Sequence, residues 1–360
     1  MITHFFIESL QIPFRVSFKH HSATRTTTET ILVKLEGPNW NGWGESCPRR
    51  YVTGESCESA TTQINTWLKN GIPFFDLPSW DSFCDAHKDS IEKNPAAFCA
   101  LELAFFDGYS KYLNIPVSSI LGWQKIEKTF HYSAVLGDGS FSTFQKLAEA
   151  HLNWGFKSFK IKISGNPEID FEKLVWLFDQ NSSLKIRLDA NNCFSSVNQA
   201  IQYLQHLPIP IEAMEEPLES KSNQELLTLI QSISTPIILD EMAIRKDDLL
   251  PFSNFNQKIW INLRVSKMGG IQKTNQILKL AEELGFGIVV GCQVGETSLL
   301  AHAGLLIAQQ VSNLKGLEGG YSDRLLENDP FKPPIIFGEN GSFNGVEIGN
   351  SLGFGVQLGN

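Results

Sequence analysis

Residues 131–320 alternate short strand-like runs with amphipathic helical stretches, and this alternation constrains the fold more than any other feature of the chain. The runs are HYSAVLG, SFKIKIS, LKIRLDAN, IEAMEEP, PIILDE, IWINLRVS, GIVVGCQ and a weaker LKGLEGG. Between them lie stretches such as FEKLVWLFDQ, NQAIQYLQHL and GIQKTNQILKLAEELG, with helical spacing of apolar residues. Eight strands joined by helices predict a parallel (β/α)8 barrel of the TIM type. In the second run, Phe159, Ile161 and Ile163 alternate with Lys160 and Lys162. In an open antiparallel sheet the lysine face would meet water. A barrel strand has no solvent face, so the apolar side meets the helices and both lysines point into the barrel.

Charged residues interrupt these runs at a regular interval. Lys162, Asp189, Glu215, Asp240 and Lys267 are separated by 27, 26, 25 and 27 residues, one strand-helix unit each. The spacing predicts that they occupy consecutive strands near the carboxyl ends, the face where barrel enzymes keep their chemistry. A lone acid there reads as a helix cap. Three acids between two lysines would repel one another unless a cation sat among them. Hard oxygen donors without His or Cys point to Mg²⁺. Neighbouring ammonium groups and a divalent cation depress a lysine's pKa, as a general base near neutral pH requires.

The remaining sequence reads as an α+β capping domain over 1–127, with the barrel over 128–329. A Gly-, Asn- and Pro-rich segment, 330–360, returns to the cap. TETILVKLEG reads as a strand, NWNGWGESCP as a hairpin, and 94–113 as a helix with a nearly continuous apolar stripe. Hydrophobic residues at 42% and charged residues at 19% make a globular composition. The net charge of −9 excludes a basic nucleic-acid face. No apolar run approaches the roughly 18 residues that span a bilayer, and the N-terminus lacks a secretory pattern. Six cysteines without CxxC spacing read as reduced thiols. A soluble, cytoplasmic protein is expected.

The set KxK at Lys160 and Lys162, LDAN at Asp189, EEP at Glu215, DE at Asp240 and NLRVSKMGG at Lys267 resembles the enolase superfamily. More narrowly it resembles the muconate-lactonizing-enzyme subgroup, which includes dipeptide epimerases, N-acylamino acid racemases, o-succinylbenzoate synthases and cycloisomerases. The resemblance extends to GWGESCP and to ALELAFFDGYSKYLNIPVSSILG, and so spans nearly the whole chain. It implies that Asp189, Glu215 and Asp240 hold Mg²⁺, which binds a substrate carboxylate and stabilises an enediolate; a Lys or His base with Mg²⁺ is the general pattern of this superfamily. It further implies that Lys162 and Lys267 face each other across the substrate, with Lys160 shifting the pKa of Lys162. The substrate is expected to be a small carboxylate and the protein a homo-oligomer.

Dipeptide epimerases of this group usually carry a DxD on the eighth strand that grips the substrate ammonium. Here the region reads GLEGGYSDRLL and offers Glu318. Glu296 in GCQVGETS is a second acid at this end, although its place before LLAHAGLLIA also suits a helix cap. The seventh-strand region has no His, so the His–Asp dyad of the mandelate racemase subgroup is missing, and His302 reads as structural. Two polar loops, 15–30 and 45–56, occupy the positions of a lid, with His20, Arg49 and Tyr51 as substrate contacts. Asn191 and Glu241, beside the acid positions, complete the substrate-contact set. Two opposed lysines favour a racemase or epimerase of a dipeptide or N-acylamino acid. Cycloisomerisation or syn-elimination would use the same residues. A metal hydrolase would want HxH on the first strand, and a non-catalytic binding protein would have lost a lysine or an acid; neither condition is met.

Overall fold

The computed structural model describes residues 2–20 and 23–359, and side chains outside 16–24. Eight strands form one parallel sheet in strict sequence order: Ala134–Leu136, Ser158–Lys162, Lys185–Asp189, Ala213–Glu215, Ile237–Leu239, Ile259–Leu263, Gly287–Val290 and Leu314–Leu317. The Ser133 N–H donates to Leu317 O at 2.7 Å, which brings the first and last strands together and curls the sheet into a barrel. All eight sequence runs are therefore barrel strands. Phe159 and Ile161 are buried against the surrounding helices, as their alternation with the lysines requires. Helices such as Pro167–Gln180, Val197–Gln205 and Ile271–Glu283 follow the strands. After the fifth strand the connection is a 3-10 segment, Lys246–Lys258, which contains Pro251 and is interrupted at Asn256. Inside the barrel, Ala213, Ile238, Trp260 and Val289 form an apolar floor. Its apolar character strengthens the charge interactions in the layer above.

Ahead of the barrel, Thr30–Gly37 pairs antiparallel with His4–Leu10 on one side and Trp40–Ser46 on the other. A long helix, Pro95–Leu113, is buried along most of its length. It carries Phe98 and Phe105 into an aromatic cluster with Phe74 and Trp80. The final segment contributes Ser342–Asn344, which pairs with Thr129–His131, and Phe331 and Val356, which pack on Leu32 and Leu299. Among the described residues no helix is long and apolar enough to cross a membrane. All six cysteines are free thiols.

The cap and barrel are joined by polar contacts that satisfy helix ends. Glu45 accepts the Thr297 N–H at 2.7 Å, the Thr297 hydroxyl at 2.6 Å and the Leu300 N–H at 3.0 Å, at the start of the barrel helix Ser298–Gln310. Asp329 accepts the Ser298 N–H at the same helix end. The Cys47 N–H donates to Ser266 Oγ at 2.9 Å, one residue before Lys267.

Candidate active site

Strand register places the charged residues side by side. Lys162 pairs with Asp189, and Asp189 with Glu215, so these three form one row at the carboxyl ends of the second, third and fourth strands. Two residues earlier, Lys160 pairs with Arg187 in the row beneath. Asp240 follows the fifth strand directly. Lys267 departs from its expected position on a strand: it lies in a one-turn helix, Val265–Met268, just past the sixth.

The side chains meet as a buried ion network. Lys160 Nζ lies 2.8 Å from Glu215 Oε1, 3.3 Å from Asp189 Oδ2 and 3.2 Å from Glu318 Oε2. Glu318 Oε1 accepts from Arg187 at 2.9 Å, and Arg187 also donates to Ser133 Oγ. Lys162 Nζ donates to Asn191 Oδ1 at 2.8 Å and stands 3.9 Å from Asp189 Oδ2. Asn191 in turn donates to Asp189. On the other side, Lys267 Nζ donates to Asp240 O at 2.6 Å, Asp240 Oδ1 at 2.9 Å and Asn262 O at 2.8 Å. Arg264 pairs with Asp240, stands 3.7 Å from Glu241 and 3.9 Å from Glu215, and donates to Gln293 Oε1.

The three site lysines titrate differently. Burial pushes the Lys162 amine down against the pull of Asp189, with Lys160 a smaller contribution. Burial, reinforced by Arg264, lowers Lys267 to about 7. Burial acts the same way on Lys160, but Asp189, Glu215 and Glu318 outweigh it and raise its pKa. Lys160 lowers Lys162 as expected, but desolvation is the larger cause there, and Lys160 itself is held protonated by its three carboxylates. Burial raises Glu241 to about 7, with Glu216 and Glu215 adding to it.

Asp189, Glu215 and Asp240 come from adjacent strands, yet their carboxylates are bridged by Lys160 and Arg264. Among the described residues no three acidic, His or Cys side chains enclose an ion position as they stand. Like charges in so dry a place require compensation, and these two cations supply it. The donor set nonetheless fits a hard divalent cation. It is all oxygen, and Glu215 Oε2 and Asp240 Oδ2 are buried without a hydrogen-bond partner, although Arg264 lies against the latter.

A family model described as Enolase C-terminal domain-like matches residues 143–358. The chain belongs to the enolase superfamily. A curated L-Ala-D/L-Glu epimerase of Clostridium acetobutylicum is 24% identical over 87% of this chain and 88% of its own length. The N-succinyl-L-Arg/Lys racemase of Bacillus cereus is 24% identical over 85% of this chain and 84% of its own. Among solved structures, a dipeptide epimerase of Enterococcus faecalis, complexed with Mg and the dipeptide L-Leu-L-Tyr, superposes with a TM-score of 0.83 and 21% identity, covering 99% of both chains. The barrel with its capping domain is thus the enolase-superfamily architecture.

The remaining candidate residues are largely engaged by the protein itself. Glu318 is held between Lys160 and Arg187, so its charge is already compensated by the protein. Thr297 caps the helix Ser298–Gln310, so Glu296 does not; Glu296 accepts the Gln293 N–H and lines a cavity of about 10 Å³ with Tyr132 and Glu318. Arg49 is buried and donates to Glu29 O, Pro48 O and Val294 O, a brace between cap loops and the loop after the seventh strand. Tyr51 is exposed, with Arg25 over its ring. The His20 side chain lies outside the described residues. Asn191 bridges Lys162 and Asp189, and Glu241 lies beside Arg264. His302 is buried and bonded to Phe354 O, a structural position. The sequence reading passed over Arg187, Asn262 and Arg264. The inward parity that identified Lys160 and Lys162 also marks Arg187, two residues before Asp189, and Asn262, whose amide reaches Glu215 at 3.3 Å.

Proposed function

We propose that this enolase-superfamily chain is a Mg²⁺-dependent racemase or epimerase. Its substrate is a small carboxylate whose α-carbon carries an amide nitrogen, as in an N-acylamino acid or a dipeptide. The observation that carries this reading is the pair of lysines with lowered pKa, one tied to each end of a three-carboxylate row: Lys162 beside Asp189 and Lys267 beside Asp240. Curated relatives that are epimerases and racemases support it.

The α-proton beside a carboxylate is very weakly acidic, so a base alone does not suffice. Asp189, Glu215 and Asp240 would hold Mg²⁺, whose chemistry is to offset the charge that grows on the substrate carboxylate. The chain's own groups do the rest. A neutral lysine Nζ accepts the α-proton and becomes an ammonium, and the opposed ammonium returns a proton to the other face and becomes neutral. Reversing the roles serves the other stereoisomer. Lys160, kept protonated by three carboxylates, adds fixed positive potential beneath the reacting centre. Asn191 holds Lys162 in line with Asp189.

The test is incubation with N-acylamino acids and dipeptides in D₂O with Mg²⁺, scored by mass. One deuterium at the α-carbon of both stereoisomers is the expected outcome. Metal-loaded protein that exchanges no α-proton across the panel would remove the reading.

A further inference from the structure

Lys267 is carried by a turn rather than a strand, and the capping domain reaches that turn. The chain leaves the one-turn helix Val265–Met268 through Gly269 and Gly270, at φ +84° and +94°, and enters the helix Ile271–Glu283. Positive φ at both positions favours glycine. Glu102, in the middle of the capping helix Pro95–Leu113, is fully buried against this turn. A Cβ on Gly270 would lie 1.9 Å from Glu102 Oε2, so the carboxyl occupies the space that a side chain would fill. Glu102 Oε2 accepts the Gln272 N–H at 3.4 Å, while Glu102 Oε1 is buried with no partner. Trp80 of the cap donates to the Gln272 side chain at 3.3 Å. The lysine nearest in sequence, Lys273, is engaged by Glu92 instead.

A fully buried carboxyl with one oxygen unpartnered is costly. A residue needed only to fill the core would be apolar. Its contact is with the segment that places the Lys267 amine, which lies at the other end of the same short turn.

We propose that Glu102 is a positioning residue for Lys267: from the capping helix it fixes the double-glycine turn that holds the amine beside Asp240. The inference rests on the two-lysine reading above. Lys162, by contrast, is carried by a strand paired on both sides rather than by the turn that Glu102 contacts. Burial raises Glu102 to about 8, so its neutral form prevails near pH 7 and glutamine is a close mimic.

The experiment compares Glu102→Ala and Glu102→Gln in the full-length, Mg²⁺-loaded protein, with two readouts. In stereospecific α-deuteration, the isomer whose exchange is lost in Lys267→Ala should fall about tenfold or more in Glu102→Ala, because ångström-scale misplacement of a reacting group costs up to about 10²-fold. The isomer served by Lys162 should stay within about threefold, and Glu102→Gln should recover most of the loss. In amide hydrogen exchange, peptides over 265–272 should open about tenfold faster in Glu102→Ala while 158–163 keep their protection. Equal loss for both isomers, no loss, or loosening that spreads to 158–163 would overturn the proposal. If wild-type protein exchanges no α-proton, the two-lysine reading fails, and amide exchange alone decides whether Glu102 fixes the turn. Should Glu102→Ala not fold, Glu102→Asp, which withdraws the carboxyl from the turn by one methylene, should give the same asymmetry; a symmetric loss there counts against the proposal.

Discussion

Lys162 and Lys267 reach one cluster of carboxylates by different means. Lys162 ends a strand hydrogen-bonded to neighbours on both sides, and its amine is aligned by Asn191 from the turn after the adjacent strand. Lys267 rides on a short helix past the end of the sixth strand. Its amine is tied to Asp240 and Asn262, and its backbone to the capping domain through Cys47–Ser266 and the Glu102 contact. The strand-borne lysine is placed by barrel strands, whereas the turn that bears the other is also held from the capping domain. Under the proposed function, the cap would thus help to frame one side of the reacting carbon.

The largest expected effect strikes both halves together. Chelation should suppress α-proton exchange by about 10³-fold or more, since a Lewis acid contributes several kcal/mol to such a step, and added Mg²⁺ should restore it. Exchange that persists in metal-free buffer would contradict the role given to the carboxylate row. Next, the strand half should depend on its internal ion pairs. Arg187→Met removes one of the two cations bonded to Glu318 and should cost about 3–5 kcal/mol in denaturant unfolding, with Arg187→Met/Glu318→Gln recovering much of it.

The turn half should be sensitive to pH. Burial raises Glu102 from 4.5 to about 8 and Glu45 from 4.5 to about 7. A carboxyl with a raised folded-state pKa binds its proton more tightly when folded. Stability should therefore fall as pH rises from about 4.5 to 8, with the penalty complete above the folded value. Thermal melts between about pH 5 and 7, below the range in which the lowered pKa of Lys267 acts in the opposite sense, should show a loss of about 1–3 kcal/mol that Glu102→Gln reduces; an unchanged profile would mean that this carboxyl is not held neutral. The smallest effect concerns Gly316, where an added Cβ would meet the Arg187 guanidinium at 2.6 Å. Gly316→Ala should cost about 1–2 kcal/mol by overpacking the strand half, read from the same denaturation curves.

The barrel was legible because its strands are short, nearly continuous apolar runs at a regular spacing, and every one of the eight runs became a strand. The inward face was legible for the same reason: alternation in SFKIK separates Phe159 and Ile161 from Lys160 and Lys162. Applied to RLD and INLR, that alternation also exposes Arg187, Asn262 and Arg264. The pairing of Glu318 with Arg187 was hidden because the partners come from different barrel strands, 131 residues apart. The work of Glu45 and Arg49 was equally hidden, since their partners lie 252 and 245 residues away and are mostly backbone groups that carry no mark in the sequence. Glu102 reads as one more polar residue in a helix until Gly270 is placed beside it.

The most direct test follows each stereoisomer of an exchanging substrate separately in D₂O with Lys162→Ala and Lys267→Ala. General-base loss costs about 10²–10⁴-fold, so each variant should lose α-deuteration of one isomer by that factor and keep the other, with the two patterns reversed. If either variant loses both isomers equally, or the two variants lose the same isomer, the two amines do not flank the reacting carbon.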